Sequence, residues 1–143
     1  MSAMQLWSNI LGIQSKNFKK IEILMFEIEF FTHICEELKI FFKNQRKDFF
    51  DLMKYTDEKR NNLIESDFLK LIIFDILASE EYSLEGIACY ANTHIEVIEE
   101  IISGLNTHPS ANLLQRIITL HRSVRQDLYN ATIKKIISNL STF

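Results

Sequence analysis

Turn-forming residues are scarce in this chain. Its 143 residues include only three glycines and one proline, which are Gly12, Gly86, Gly104 and Pro109. A sheet needs a reversal after each strand, and glycine and proline supply much of the turn chemistry that such reversals require. Hydrophobic residues make up 47% of the chain, which is enough for a packed core. The sequence therefore predicts an all-α protein.

The shortage of glycine also bears on function. Phosphate-binding loops of the GxxxxGK[ST] or GxGxxG type need clustered glycines, and the sequence has no such cluster. Cys35 and Cys89 match no CxxC spacing, which argues against a zinc module and against a disulfide framework. We expect both thiols to be buried in a reducing compartment.

The residue types of catalytic and metal sites occur without the required spacing. Adjacent carboxylates such as Glu99 and Glu100 do not face one another as an acid–base pair would, and no serine or cysteine resembles an activated nucleophile. The histidines form no i, i+4 pair and no HExxH motif. They are His33, His94, His108 and His121. We therefore expect no enzymatic activity, no cofactor and no metal.

The N-terminal residues lack the features of a secretory signal, because no positive charge precedes their apolar part. We expect residues 1–16 to form a short helix or an arm, with residues 4–13 packed on the protein rather than on a bilayer. No apolar run approaches the roughly 18 residues of a membrane span. These features predict a cytoplasmic protein without a membrane partner.

A long phenylalanine-rich helical extension is predicted at the N-terminal end. Eight of the eleven phenylalanines lie between Phe18 and Phe50. Apolar residues recur there every three or four positions, and a second apolar set makes the stripe wider than the usual ~100°. Such a helix must be covered on more than one side, either by the chain's own core or by a second copy in a homodimer. The dimerisation candidates are Phe30, Phe31, Ile34, Leu38, Phe41 and Phe42.

The polar run KYTDEKRNN, residues 54–62, is predicted to be a helix end and connector. It divides the extension, residues 1–62, from a helical domain, residues 63–143. Short helices follow, and their starts are predicted from capping residues. The predicted N-caps are Ser66, Ser83, Thr93 and Ser110, and the last helix is expected over residues 126–140. Gly104 is predicted to end the helix that Thr93 begins.

The stretch SLEGIACYANTHIEVIEEIISGLNTHPS has the pattern of a helix-turn-helix. Small or apolar residues fall on the inner face of its first helix, and Asn92 lies at the bend, where asparagine tolerates the left-handed conformation. The inner face of its second helix is predicted to carry Val97 or Ile98, followed by Ile101 and Leu105. The inner-face residues of the first helix are Ile87, Ala88 and Ala91.

The run LEGIACYANTHIEVIEEIISG, followed by PSANLLQRIITL, resembles the λ-repressor-like, or Xre-type, helix-turn-helix domain over residues 66–124. Ala88 matches the alanine that packs under the turn in that family, and Gly104 matches the glycine that ends its recognition helix. Asn92 stands where the family usually has glycine. The resemblance implies a five-helix bundle that docks its third helix in the major groove, usually as a dimer.

Residue by residue, the resemblance places His94, Glu96, Glu99, Glu100 and Ser103 at groove-facing positions, with Thr93 just before them. The loop after this helix and the end of the next one offer further candidates for phosphate contacts. These are Asn106, Thr107, His108, Arg122 and Arg125. Three of the groove-facing residues are acids, which departs from the polar, small or basic residues usual in the family.

Charge weighs against DNA contact by this helix. Residues 71–115 contain seven acids and no lysine or arginine. Affinity for a duplex comes largely from cations at the phosphates, and a like-charge approach to ~4 Å costs about 4 kcal/mol at an effective dielectric near 20. Two hypotheses follow. The first, which the family's habit places narrowly ahead, is a dimeric transcriptional regulator that binds duplex DNA. The alternative is the same fold used as a protein-interaction adaptor.

Overall fold

The computed structural model describes residues 19–140, and within that range the chain forms seven α-helices and no strand. The helices are α1 (Lys20–Gln45), α2 (Lys47–Leu52), α3 (Asp57–Ala78), α4 (Leu84–Tyr90), α5 (Ile95–Ser103), α6 (Ala111–Val124) and α7 (Gln126–Leu140). The prediction of an all-α protein is confirmed over this range. The predictions for residues 1–16 lie outside the described residues.

Three of these helices have a serine or threonine N-cap whose hydroxyl accepts a hydrogen bond from a backbone amide of the first turn. Thr56 accepts a hydrogen bond from the Lys59 amide at 3.2 Å, and Ser110 accepts one from the Leu113 amide at 3.2 Å. Ser83 caps α4 in the same way, at 3.1 Å from the Gly86 amide. Each cap satisfies an amide that has no partner within its helix, which contributes on the order of 1 kcal/mol. The predicted caps at Ser83 and Ser110 are confirmed.

Two predicted caps are wrong. Ser66 lies inside α3, where its hydroxyl donates to the Leu63 carbonyl at 3.2 Å. Thr93 precedes the N-cap of α5, which is His94 and makes no side-chain capping bond. The predicted connector is also too long, because only residues 53–56 separate α2 from α3. The cap at Thr56, followed by acids in the first helical turn, favours helix where polarity alone indicated a loop.

Contacts between Cα atoms group the chain into two compact units. Among the described residues, one unit contains residues 19–38 together with residues 130–140, and the other contains Lys39–Tyr129. The boundary predicted between residues 62 and 63 falls within α3. Helix α3 packs against α5 and α6, and α4 packs against the same two helices. Helices α4 and α5 therefore contribute to the core of the second unit.

Branched aliphatic side chains fill that core. Ile87 and Ile98 are fully buried, and Ala88, Ala91 and Ile101 are buried beside them, as predicted for the inner faces of α4 and α5. Other fully buried members are Ile72, Ile73, Ile76, Ile117, Ile118 and Leu120. Replacing one such side chain with alanine lowers the free energy of unfolding by about 2–5 kcal/mol.

Leu105 was predicted to face the core and does not, because its side chain is 82% exposed. Gly104, at φ 82°, ends α5 in the left-handed conformation, so the helical rhythm stops one residue before Leu105. Cys89 is likewise exposed, whereas Cys35 is buried as expected.

The dimerisation candidates are mostly interior residues of a single chain. Five of the six are at most 9% exposed, and Phe41 is half-buried. The five are Phe30, Phe31, Ile34, Leu38 and Phe42. These five side chains are covered within one chain, and self-association through this helix stays a prediction. The solvent-facing apolar residues of α1 are Ile21, Leu24, Met25, Ile28 and Ile40.

Between residues 19 and 140, none of the helices combines the length and the apolar character that crossing a bilayer requires.

The turn between α4 and α5 depends on Asn92. Its φ of 54° is left-handed, and its amide donates to the Cys89 carbonyl at 3.2 Å. The Thr93 amide donates to the Ala88 carbonyl at 3.0 Å. These two bonds form a Schellman motif, which satisfies the last carbonyls of a helix and normally uses glycine or asparagine at its left-handed residue. The left-handed bend predicted at Asn92 is confirmed.

Replacing Asn92 tests this turn directly. We expect Asn92→Gly to leave the free energy of unfolding within about 0.5 kcal/mol of wild type, because glycine adopts a positive φ without steric cost. Asn92→Val should lower it by about 1–2 kcal/mol, because a β-branched side chain clashes in that conformation. Equilibrium urea unfolding measures both values. Asn130→Val, at an exposed helical position, is the control for valine itself. Equal effects of glycine and valine at residue 92 would contradict the assignment.

Candidate functional site

Helix α5 turns one side to the core and the other to solvent. Ile98 and Ile101 are buried, whereas every residue that the resemblance assigns to a groove-facing position is exposed. These exposed residues are His94, Glu96, Glu99, Glu100 and Ser103. Thr93 is half-buried. Residues three and four apart share a helix face, so the three glutamates form one acidic surface. We call Glu96, Glu99 and Glu100 the acidic face of α5.

The charges on this face are not compensated within the described residues. None of its glutamates forms an ion pair there, and the same is true of Glu80, Glu81 and Glu85. Four acids elsewhere in the same unit do form ion pairs, and these are Asp51, Asp57, Glu65 and Asp75. Asp57 lies 2.7 Å from the Lys43 ammonium, and Asp51 lies 2.8 Å from the Arg60 guanidinium. Six exposed acids without an ion pair thus lie close together in the sequence, on the loop before α4 and on α4 and α5.

The loop after α5 is held by its own hydrogen bonds. The Asn106 amide donates to the Glu100 carbonyl at 3.1 Å, and its side-chain oxygen accepts from the His108 amide at 3.1 Å. The Thr107 hydroxyl and the His108 Nδ1 lie 2.9 Å apart, and both side chains are exposed. The loop thus has a defined shape, but it adds no lysine or arginine to the acidic face.

Arg125, a candidate for phosphate contact, is engaged inside the protein. Its Nη1 donates to Asp75 Oδ1 at 3.3 Å, and its guanidinium lies 5.9 Å from the centre of the Phe41 ring. The other candidate cation, Arg122, is half-buried and interacts with neighbouring groups. Arg116 donates from Nη1 to the Ala91 carbonyl at 3.0 Å, so it caps the end of α4.

Asp75 belongs to a buried polar network that sequence reasoning missed. The His121 Nε2 lies 2.6 Å from Asp75 Oδ2, and the His121 Nδ1 lies 2.7 Å from the Tyr129 hydroxyl. His121 and Tyr129 are fully buried, and the Asp75 side chain is 11% exposed. The His121 ring also lies 6.4 Å from the Phe42 ring at an interplanar angle of 28°. The network ties α3, α6 and α7 together.

Proton positions in this network follow from the chemistry of its members. A carboxylate accepts hydrogen bonds only, so the His121 Nε2 carries a proton and donates it to Asp75. The Tyr129 hydroxyl then donates to Nδ1 when the imidazole is neutral and accepts when it is charged. Each buried polar atom thereby gains a partner, which is the condition for burying a histidine and a tyrosine hydroxyl.

The network shifts the titration of its carboxylate. The hydrogen bond from His121 lowers the pKa of Asp75 below its ordinary value, and partial burial opposes that effect. Electrostatic attraction to His121 and Arg125 lowers the pKa of Asp75 further. Because the folded chain holds this carboxyl ionised at a lower pH than the unfolded chain does, ionisation of Asp75 contributes to stability.

Within residues 19–140, no group of three or more histidine, cysteine, aspartate or glutamate side chains is arranged to hold a metal ion. No family model, no curated protein and no solved structure matches this chain. The candidate site is therefore described from the residues of this chain alone, without a related protein for comparison. It consists of the acidic face of α5, presented by the Asn92 turn and supported by a core in which Asp75, His121 and Tyr129 are joined.

Asp75→Asn tests the network through pH. The contribution of the ionised carboxylate is fully present above the unfolded pKa of about 3.9 and is lost as the pH falls through the lower folded pKa. We expect Asp75→Asn to lower the free energy of unfolding at pH 7 by about 2–4 kcal/mol, because it weakens a buried charge-assisted hydrogen bond. The variant should also show a flatter dependence of stability on pH below about pH 5.

Tyr129→Phe is the matched control, since it removes one hydroxyl and keeps the carboxylate. It should cost about 1–3 kcal/mol by leaving His121 Nδ1 without its partner, and it should retain the acid-dependent loss of stability. Urea unfolding at a series of pH values between 2 and 7 measures both variants. An Asp75→Asn protein with the wild-type pH profile would show that another carboxyl controls acid stability.

Proposed function

We propose that this chain is a protein-interaction module with a helix-turn-helix type of scaffold, and that the acidic face of α5 binds a basic surface of a partner protein. The observation that carries the proposal is the set of exposed glutamates with no compensating charge among the described residues. A partner that supplied lysine or arginine side chains would provide the missing charges.

Local geometry supports the scaffold. Two short helices, α4 and α5, meet at a left-handed asparagine, and Ala88 and Ala91 are buried under the turn. Small side chains there let the second helix approach the first closely. These features agree with the sequence resemblance to λ-repressor-like domains. In that family the second helix of the pair is the one that meets the ligand, and here it is α5 that carries the acidic face.

Charge favours a protein partner over a duplex. Three carboxylates on one face of a short helix would meet the phosphates of DNA at a cost of about 4 kcal/mol for each approach to ~4 Å, before screening by salt. None of the described cations that follow in the sequence forms an ion pair with this face, since Arg125 pairs with Asp75 and Arg116 donates to the Ala91 carbonyl. The same carboxylates would attract a basic protein surface and speed its association.

Exposed apolar side chains on the same helix pair add contact area. Leu105 follows α5 and is 82% exposed, and Tyr90, near the end of α4, is 45% exposed. Charged rims set the rate and the specificity of association, whereas aromatic and aliphatic anchors supply much of the affinity. A basic helix or loop with an apolar residue among its cations would match this composition.

The second candidate is a transcriptional regulator that binds duplex DNA as a dimer. The observation in its favour is that the polar side of α5 is exposed immediately after the turn, as a recognition helix requires. One glutamate in the major groove is tolerable, because its carboxylate can accept from a cytosine amino group. The remaining acids count against this candidate, so it ranks second.

The two candidates predict opposite effects of one variant. We expect Glu96→Gln/Glu99→Gln/Glu100→Gln to bind a fluorescent, lysine-rich helical peptide at least about tenfold more weakly than wild type at ~50 mM salt, because three charge attractions are removed. A cryptic DNA-binding protein would instead gain affinity for a mixed-sequence duplex through the same change. Fluorescence anisotropy with both probes separates the outcomes.

Glu80→Gln/Glu81→Gln/Glu85→Gln is the matched control, with the same change in net charge away from α5. If it weakens peptide binding as much as the α5 variant does, attraction is set by net charge and the proposed face has no special role. Tight, salt-sensitive binding of the wild-type protein to the duplex at micromolar concentration would favour the regulator over the adaptor.

A further inference from the structure

A polar concavity of about 230 Å³ lies between the end of α4, the start of α5, the loop that follows α5 and the start of α6. Neither the acidic face of α5 nor the buried network contributes a residue to it. Its polar lining residues are Asn92, Thr93, Asn106, Ser110, Asn112 and Arg116. The remaining lining residues are Ala91, Val97 and Leu113, so the lining combines hydrogen-bonding side chains and one cation with a smaller apolar part.

Its charge is the reverse of its surroundings. Residues 71–115 carry seven acids and no base, yet the lining of the concavity contains no carboxylate and one guanidinium. A half-enclosed site with one sign of charge attracts ligands of the opposite sign more strongly than open surface does. An anion approaching this part of the protein would find its favourable position here.

Arg116 is held in place by the turn that it caps. One of its donors, Nη1, binds the Ala91 carbonyl at 3.0 Å, and the side chain is half-buried. A guanidinium has five N–H donors in a fixed planar fork, so the bond to Ala91 leaves others for a ligand. Carboxylate and phosphate groups are the partners that match this fork.

The start of α6 supplies further donors. The Ser110 oxygen accepts from the Leu113 amide, which leaves its own O–H available to donate. The Asn106 oxygen is used by the His108 amide, so this side chain offers its NH₂ group to a ligand. Helix α6 has 14 residues, and its N-terminus carries a partial positive charge.

We propose that this concavity binds a small anionic molecule, whose carboxylate or phosphate group is held by Arg116 and by the donors at the start of α6. The volume is below the roughly 300–1,000 Å³ of sites for drug-sized ligands, so the ligand is a compact acid of few heavy atoms. The site is independent of the proposed partner surface. A ligand bound there would contact the turn that positions α5.

A titration followed by NMR tests the site on the whole chain. Inorganic phosphate and acetate are added separately, with chloride keeping the ionic strength constant. We expect saturable shifts of the backbone amides of Asn92, Thr93 and Asn112, with a dissociation constant on the order of 1–10 mM for such small probes. Saturation by one probe supports the site and identifies the group that it holds.

Asn112→Asp is the decisive variant. It places a carboxylate in the lining, four residues before Arg116 on α6, where it competes with an anionic ligand for the guanidinium. An acid in the first turn of a helix is compatible with folding. We expect at least about tenfold weaker binding of the saturating probe, because like charges then meet at short range. Asn44→Asp makes the same charge change at an exposed residue that does not line the concavity, and it should leave binding unchanged.

Three results would overturn the inference. The first is a linear, non-saturating response of these amides to both probes. The second is unchanged probe binding by Asn112→Asp when thermal unfolding shows that the variant is folded. The third is a short DNA duplex that shifts the same amides at lower phosphate concentration than free phosphate does, since the concavity would then serve a nucleic-acid backbone.

Discussion

The rest of the second unit depends on the left-handed turn at Asn92. The positive φ of Asn92 ends α4 after two turns and lets α5 start in a new direction. Ala88 and Ala91 are buried beneath this turn. Arg116 reinforces the turn from α6 by binding the Ala91 carbonyl. An unpaired carbonyl at a half-buried helix end would be costly, so this contact both satisfies the backbone and brings a cation beside the turn. The acidic face and the concavity are consequences of the same geometry.

Charge placement separates residues that stabilise the fold from residues that are available for binding. Asp75 is nearly buried and is surrounded by His121 and Arg125, so its charge is neutralised internally. The glutamates of α4 and α5 are exposed and have no ion-pair partner among residues 19–140. Exposed carboxylates need no partner for stability, because water solvates them. Folding therefore does not require this group of carboxylates.

Features that depend on neighbouring residues, such as helix caps and left-handed turns, were predicted from the sequence. Ser83, Ser110, Asn92 and Gly104 were assigned correctly because a cap or a left-handed residue acts within four positions of itself. Leu105 was misplaced because the helical periodicity was extended one residue past Gly104, although the helix was correctly predicted to end there. The Asp75–His121–Tyr129 network could not be predicted from the sequence for a different reason. Its aspartate and histidine are 46 residues apart, and only the packing of α3 against α6 joins them.

Helix α6 links the core to both surface features. Near its C-terminal end His121 is fixed between Asp75 and Tyr129, and in its middle Arg116 holds the end of α4. One helix therefore carries both the buried histidine and the arginine that binds the end of α4. Directional hydrogen bonds on opposite sides of the imidazole ring restrict the rotation of α6 about its axis, in addition to the close packing of its apolar side chains. A polar group can be buried in this largely apolar core because both ring nitrogens of His121 have hydrogen-bond partners.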